Sequence, residues 1–399
     1  MRTPVVLICG QAGANTVAEA LLTHPGTAVV EHEFDGQVVR RWVAIMRQGR
    51  VSRSEVALEL TKGCVSCTTR DDLLVLLRRV HRRDDVHRIV VLLAPWTEPE
   101  SICHAINHVP VRVGVGYLDG PAARDVEISA VVACLDTESW RGQALGDDEL
   151  PDGRPVAQVV VGQAEFADVL VLTEPEHATI AILKRLAPCA RITVGHRHLE
   201  IALRHLHPLT RRGADADPHE PLLAGEPPLG PDGDVALTEF SAQRPFHPGR
   251  LHAAVDVLLD GVIRSRGRIW LAPQPDNVVW VESAGGGLRV AHTGPWLAAM
   301  DAAELTYVDP ERKAVAGMRW DPEHGDRQTS MTILCCGARP AEISAALYDA
   351  LLTDDEFRRP WEWDQYDDPF GDWHEDPCDS TPELHDEVAA RGSHEGDDK

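Results

Sequence analysis

The strongest constraint on the fold is a series of short apolar runs that do not alternate: residues 4–9 (PVVLIC), 89–94 (IVVLLA), 128–135 (ISAVVACL) and 168–172 (DVLVL). A strand with one wet face reads apolar–polar–apolar, whereas a continuous run has to be covered on both faces. Residues 27–30 and 191–194 add two shorter strand-like runs, and the intervals carry helical patterns at 16–22, 70–82, 98–107, 156–166 and 176–187. Buried strands alternating with helices predict an α/β domain over residues 1–205. It is a doubly wound, parallel sheet with helices on both sides.

Residues 206–234 break that rhythm, being crowded with Pro, Gly, Asp and Glu, and read as a linker. A second unit, 235–356, follows. Strands are expected at 235–240, 261–271, 278–282, 288–292 and 329–335, with helices at 248–259 and 341–352. That sequence of elements predicts a small α+β domain with a mostly antiparallel sheet. The remainder, 357–399, is an acidic tail in which Trp361, Trp363, Phe370 and Trp373 suggest partial docking. From about residue 380 apolar residues are too few to hold order.

Charge restricts the partners. The net charge is −24, and Thr353 to Lys399 holds 17 Asp+Glu against 4 Lys+Arg, a net of −13. Such a field repels free nucleic acid. With the excess concentrated in the tail, the body is nearer neutral, and docking onto a ribonucleoprotein stays open. No apolar run reaches the ~18 residues of a membrane span, and the first residues lack a signal-peptide pattern. The expectation is a soluble, cytoplasmic protein. Its nine Cys are then packed thiols, metal ligands or reactive groups rather than disulfides. Cys9, Cys134 and the Cys335–Cys336 pair sit in apolar runs and read as packing.

The first run leads into Gly10-Gln-Ala-Gly13-Ala-Asn15-Thr16-Val17 and a helix, the position of a phosphate loop. Gly10 and Gly13 are present. A working loop reads G-x-x-x-x-G-K-[ST], and here Asn15 stands for the second required Gly, Thr16 for the Lys and Val17 for the magnesium-binding hydroxyl. Phosphate would be met only by backbone N–H groups and the helix dipole, worth ~0.3–1 kcal/mol where exposed. Any doubly wound sheet carries a strand–glycine–helix turn, so this segment alone does not establish nucleotide binding. Further on, Cys64-Val-Ser-Cys67 precedes a helical segment. Two thiolates at that spacing can share one Zn²⁺ or act as a redox dithiol. They do not complete a tetrahedral site, and His32 and Glu33, after the second strand, are the candidates for further ligands.

Together these segments resemble the CobW-like family of P-loop GTPases and metallochaperones over nearly the whole chain. The likeness rests on the Gly10–Val17 loop, Glu33-Phe34, and Gly63-Cys64-Val-Ser66-Cys67 followed by Thr69-Arg70-Asp71-Asp72-Leu73. In the second domain it rests on Arg244-Pro-Phe-His-Pro-Gly-Arg250-Leu251, on residues 261–272 (GVIRSRGRIWLA), on Trp320-Asp-Pro and on Gly325-Asp-Arg327. The resemblance implies a P-loop NTPase-like first domain, a CobW C-terminal-type second domain, and Zn²⁺ and GTP as ligands. The departures are equally specific. Ser66 replaces the family's central Cys. Leu92 and Pro95 stand where the third-strand motif has Glu and Gly. Thr173-Glu-Pro-Glu176 stands where guanine is read by Asn-Lys-x-Asp. These degraded nucleotide elements, taken together, argue against hydrolysis. The degraded pattern resembles a branch of the family tied to zinc limitation and ribosome hibernation. It implies a zinc-responsive, non-hydrolysing protein that acts on the ribosome (30S or 70S particles), with a hibernation factor as a possible second partner. The alternative is a zinc metallochaperone with weak GTP binding and hydrolysis.

In the second domain Arg264, Arg266 and Arg268 alternate along one strand and share a face. That stripe, with His247 and Arg250, is the candidate docking surface for phosphate-rich RNA, or else a solvated outer sheet face.

Overall fold

The computed structural model describes residues 2–371 apart from 48, 62, 216–218, 220, 221 and 224. The first domain runs β1 (Thr3–Gly10), α1 (Ala14–Leu22), β2 (Thr27–Phe34), β3 (Val39–Arg47), β4 (Arg50–Leu58), α2 (Val65–His81), β5 (Arg88–Leu92) and α3 (Pro99–His108). It continues with β6 (Val126–Leu135), α4 (Trp140–Leu145), α5 (Val156–Phe166), β7 (Val169–Leu172), α6 (His177–Leu186), β8 (Arg191–Val194) and α7 (Leu199–Arg204).

The apolar runs become the middle of an eight-stranded sheet ordered β4-β3-β2-β5-β1-β6-β7-β8. From β2 to β8 all pairings are parallel. Along β1, Val5, Leu7 and Cys9 face α2, α3, α5 and α6, while Val6 and Ile8 face α1 and α7. This is why the run does not alternate. Leu73, Leu74 and Leu77 of α2 are essentially sealed from solvent, and each such burial contributes about 1.5–3 kcal/mol. The chain reverses direction across the sheet at β1, so the crevice beyond the carboxyl ends of β1 and its neighbours is the natural place for a ligand.

The sequence pattern gave no strands between residues 35 and 60, but β3 and β4 form an antiparallel extension on β2. β4 is an exposed edge whose apolar residues, Val51, Val56, Ala57 and Leu58, do not alternate regularly. It is held by backbone pairing to β3, which itself pairs with β2. Periodicity cannot reveal a strand of that kind.

The second domain comprises β9 (Val235–Ala242), α8 (Pro248–Ala253), β10 (Val262–Ile269), β11 (Asn277–Ala284) and β12 (Gly287–Pro295). These are followed by α9 (Glu304–Tyr307), α10 (Pro310–Gly317), β13 (Thr329–Cys336), α11 (Pro340–Ala350) and α12 (Asp354–Phe357). Its sheet is antiparallel throughout, in the order β12-β11-β10-β13-β9. Helices α5 and α6 of the first domain pack against β9, β11 and β13. The approach is tight at Gly285, where a Cβ would lie 2.4 Å from the Gly146 carbonyl and 2.6 Å from the Ala157 methyl.

The stretch read as a linker is fastened at several points. The Arg212 amide donates to Asp168 at 3.0 Å, Asn107 donates to the Gly213 carbonyl at 3.0 Å, and Arg266 donates to the Leu222 carbonyl at 3.1 Å. The start of the acidic tail, up to residue 371, lies against the second domain. Trp363 packs with Trp270 and Phe357, and Phe370 is buried, while Trp361 is exposed. Trp373 and the region expected to be disordered lie outside the described residues. Among the described residues no helix is long and apolar enough to cross a membrane.

Candidate metal and nucleotide sites

The Cys pair is built by the start of α2. Cys64 caps the helix with an extended backbone, and its Sγ accepts the Cys67 amide N–H at 3.2 Å. Thr68 closes the entry: its hydroxyl donates to the Cys64 carbonyl at 2.7 Å and accepts the Thr61 amide at 2.8 Å. The Ser66 hydroxyl lies 3.3 Å from Cys64 Sγ. Hydrogen bonds from the Cys67 thiol, the Ser66 hydroxyl and the Cys67 amide lower the Cys64 thiol below its ordinary value, while donating to Cys64 raises Cys67. Both thiols are half-buried. A partly exposed thiol at a helix N-terminus with a lowered pKa is set up to ligate metal or to react.

The structure does not bring His32 and Glu33 to the thiols as ligands. His32 is buried on the α2 side of β2, its Nε2 2.8 Å from Asp72 Oδ2, and the other Asp72 oxygen accepts from Arg41 at 2.7 Å. Glu33 follows on the strand and therefore points to the opposite face, where it is exposed. The physical reason is the period-2 alternation of β2, which continues four residues beyond the run visible in the sequence. Among the described residues, no third His, Cys, Asp or Glu donor joins the two thiols in a cluster within 4.8 Å. In the sequence Asp72 belongs to the motif after the Cys pair and carries no separate ligand signal. Its position one turn beyond Thr68 on α2 was the available signal for its place beside β2.

The phosphate-loop turn is present in backbone form. Gly10 has φ +115°, and a Cβ there would stand 2.0 Å from the Cys134 carbonyl. Gly13, at φ +77°, caps α1 without any side-chain bond to the helix N–H groups. Asn15 and Thr16 are exposed on the first turn, whereas Val17 is buried in the α1 core. Gln11 donates to the Pro95 carbonyl at 3.0 Å and to Gln163 at 2.8 Å. Gln163, fully buried, donates in turn to Pro95 and Thr97 at 2.8 Å each. The loop is thereby tied to the segment after β5, where a switch would move. Glu176 caps α6, accepting from Ala178 at 3.1 Å and Thr179 at 2.7 Å. The neighbouring Thr179 side chain, and then these two amide bonds, hold its carboxyl below the usual range. Both of its oxygens are occupied by the helix instead of facing a base. The backbone cradle fits a phosphate, but the side chains do not fit magnesium-dependent phosphoryl transfer: no Lys reaches the phosphates and Val17 offers no oxygen.

The expected RNA-docking stripe is turned inward. Arg264 and Arg266 point at α5, where each pairs with Glu165, and Arg264 also pairs with Glu282 at 3.1 Å. Two neutralised guanidiniums at a domain junction are not a phosphate-binding face. Arg268 follows half-buried on the same strand. His247 and Arg250 serve the fold as well. His247 Nδ1 accepts from the Gly249 and Arg250 amides as the cap of α8, and Arg250 grips both Glu356 oxygens at 3.0 and 2.7 Å. Burial and the neighbouring Arg250 lower the His247 pKa. A further group lies outside the expected site residues: His104 and His108, at the i, i+4 spacing of one helix face on α3, converge with Asp215.

Residues 4–191 match the nucleotide-binding domain family CobW/HypB/UreG, and residues 235–351 match the cobalamin synthesis protein CobW C-terminal domain. A protein of Mycobacterium tuberculosis described as a zinc chaperone is 62% identical over 390 residues, covering 98% of both chains. A zinc-regulated GTPase metalloprotein activator of Dictyostelium discoideum is 23% identical over 329 residues, covering 76% of this chain and 67% of its own. The crystal structure of the Zn(II)-bound YjiA GTPase from E. coli aligns with a TM-score of 0.38 at 16% identity, covering 88% of this chain and 99% of its own. The chain belongs to the CobW/HypB/UreG family and carries both of its domains.

Proposed function

We propose that this member of the CobW/HypB/UreG family is a zinc metallochaperone that carries Zn²⁺, as cargo, on the thiolates of Cys64 and Cys67. The observation that carries the reading is Cys64 at the cap of α2, its sulfur bonded to the Cys67 amide and its thiol held below the ordinary pKa. Two sulfurs without a closing set of protein ligands suit cargo better than a structural ion. The open positions let a recipient's ligands enter before the thiolates leave. Each thiol gives up its proton as zinc binds. The relative described as a zinc chaperone, similar over almost the whole chain, supports the same reading. Nucleotide would be held weakly, through the backbone turn at Gly10 and Gly13, with hydrolysis slow or absent.

Competition with a chromophoric chelator tests this. The native chain should withdraw one thiol-dependent Zn²⁺ equivalent, and the Cys64→Ser/Cys67→Ser variant should not. Equal zinc withdrawal by both would remove the thiols from the account.

A finer reading makes the ribosome, under zinc limitation, the place where this zinc handling matters. It draws on the degraded nucleotide elements together with the retained Cys pair. Sedimentation from zinc-starved and zinc-replete cells tests it: co-migration with ribosomal particles only under starvation is expected, and a protein at the top of both gradients rejects it.

A further inference from the structure

We infer that His104, His108 and Asp215 form a second divalent-cation site, chemically distinct from the Cys pair and at the opposite end of the same face of the sheet. His104 and His108 are one turn apart on the exposed face of α3, while Cys103, Ala105 and Ile106 hold the other face in the core. The two imidazole rings are 4.8 Å apart between centroids. Asp215 reaches both, with Oδ1 3.1 Å from His104 Nδ1 and Oδ2 2.7 Å from His108 Nε2. One ligand atom from each residue lies within 4.8 Å of the other two. A zinc ion ~2.0–2.1 Å from each donor sets tetrahedral edges of about 3.3 Å. The two imidazole–carboxylate contacts are of that length but use different oxygens of Asp215, so binding needs one oxygen to turn between the rings and the His–His spacing to close, both by rotation of exposed side chains.

The carboxylate is placed by the fold rather than by chance. The chain before it is pinned by the Arg212 amide on Asp168, by Asn107 on the Gly213 carbonyl, and by the Ala214 amide on the Arg211 carbonyl at 2.9 Å. Gly213 has φ +72°, and a Cβ there would lie 2.7 Å from Ile128 and 3.0 Å from Cys103 Sγ. Only a residue without a side chain lets the segment lie this close to α3, and that closeness delivers Asp215 to the imidazoles.

The donor set selects the ion. Two imidazoles and one carboxylate suit Zn²⁺ and its neighbours Co²⁺, Ni²⁺ and Cu²⁺, and disfavour Mg²⁺ and Ca²⁺, which want all-oxygen shells. All three residues are exposed, so a fourth position is left for water or for a ligand from another molecule. α3 leaves the carboxyl end of β5 and runs back along the sheet, so His108 lies toward the amino ends of the parallel strands. Cys64 lies at the opposite end, where α2 begins. An ion here cannot share ligands with the Cys pair, and the inference stands whether or not the thiols carry zinc.

The test uses the full chain with Zn²⁺ alone as probe. In a Cys64→Ser/Cys67→Ser background, one Zn²⁺ equivalent should still bind, with an X-ray absorption edge showing nitrogen and oxygen but no sulfur. Adding His104→Gln and His108→Gln should abolish it, and Asp215→Asn should weaken it at least tenfold. In the chain with its cysteines intact, the same His variants should leave the thiol-dependent equivalent unchanged. All three positions are exposed, so circular dichroism melts should coincide with the parent. If the Cys-free chain takes up no zinc, or takes it up equally with both imidazoles replaced, the three residues are an ion-pair cluster and nothing more.

Discussion

Glu165 of α5 and Arg264 of β10 meet at 3.0 Å across the junction of the two domains, with only 10% and 14% of their side chains exposed. Burial raises the Glu165 pKa, but Arg264, Arg266 and Arg211 outweigh it and keep the carboxyl below its usual value. The charge is therefore kept buried by a partner domain. Removing Glu165 leaves Arg266 without a carboxylate and Arg264 with Glu282 alone, a loss at the lower end of the range of about 3–5 kcal/mol for breaking a buried pair. Glu165→Ala should lower the unfolding free energy by that order in urea titration. A change below about 1 kcal/mol would mean the junction is wetter than its geometry indicates.

Ser66 occupies the place of the family's central Cys, and its hydroxyl is already 3.3 Å from Cys64 Sγ. Ser66→Cys should supply a third thiolate and raise zinc affinity about tenfold or more. Chelator competition checks this, and unchanged affinity would show that the side chain at 66 cannot turn toward the ion.

The two loop glycines should respond differently to the same substitution. Gly10→Ala drives a methyl into the Cys134 carbonyl and should cost about 3 kcal/mol or more, or prevent folding. Gly13→Ala meets no atom within 4 Å and bears only its left-handed backbone, about 1 kcal/mol. Thermal melts of both variants decide it. Equal losses would contradict the contact at Gly10.

The Arg250–Glu356 pair predicts a limb of acid sensitivity. Arg250 and the Thr353 groups bring the Glu356 carboxyl down to about 2 from its ordinary 4.5, against an opposing effect of burial. A carboxylate depressed in the folded state stabilises fully above its unfolded pKa, and that contribution is lost as pH falls through the folded value. The second domain should therefore lose stability between roughly pH 4.5 and 2. Arg250→Ala should cost about 1–2 kcal/mol at neutral pH, after allowance for solvent screening, and should flatten that limb. A variant with the parent's acid profile would assign the sensitivity to other carboxylates.

The sequence by itself determined the doubly wound sheet, because PVVLIC, IVVLLA and ISAVVACL have no polar face to show to water. It also determined the Cys pair ahead of a helix, which the structure begins earlier, at Val65, so that Cys64 caps it, and the loss of the Lys and hydroxyl chemistry at Thr16 and Val17, since those are facts of residue type at fixed spacing. Tertiary structure decided the rest. β4 exists because β3 offers it backbone partners. His32 is committed to Asp72 because β2 runs four residues further than its apolar pattern. The arginines at 264 and 266, which alone read as an outer face, are covered because α5 brings Glu165 onto them. Asp215 joins two histidines 107 and 111 positions away because Gly213 lets the chain lie against α3. Local pattern encodes which face of an element is apolar, but only packing decides which distant side chain meets a charge.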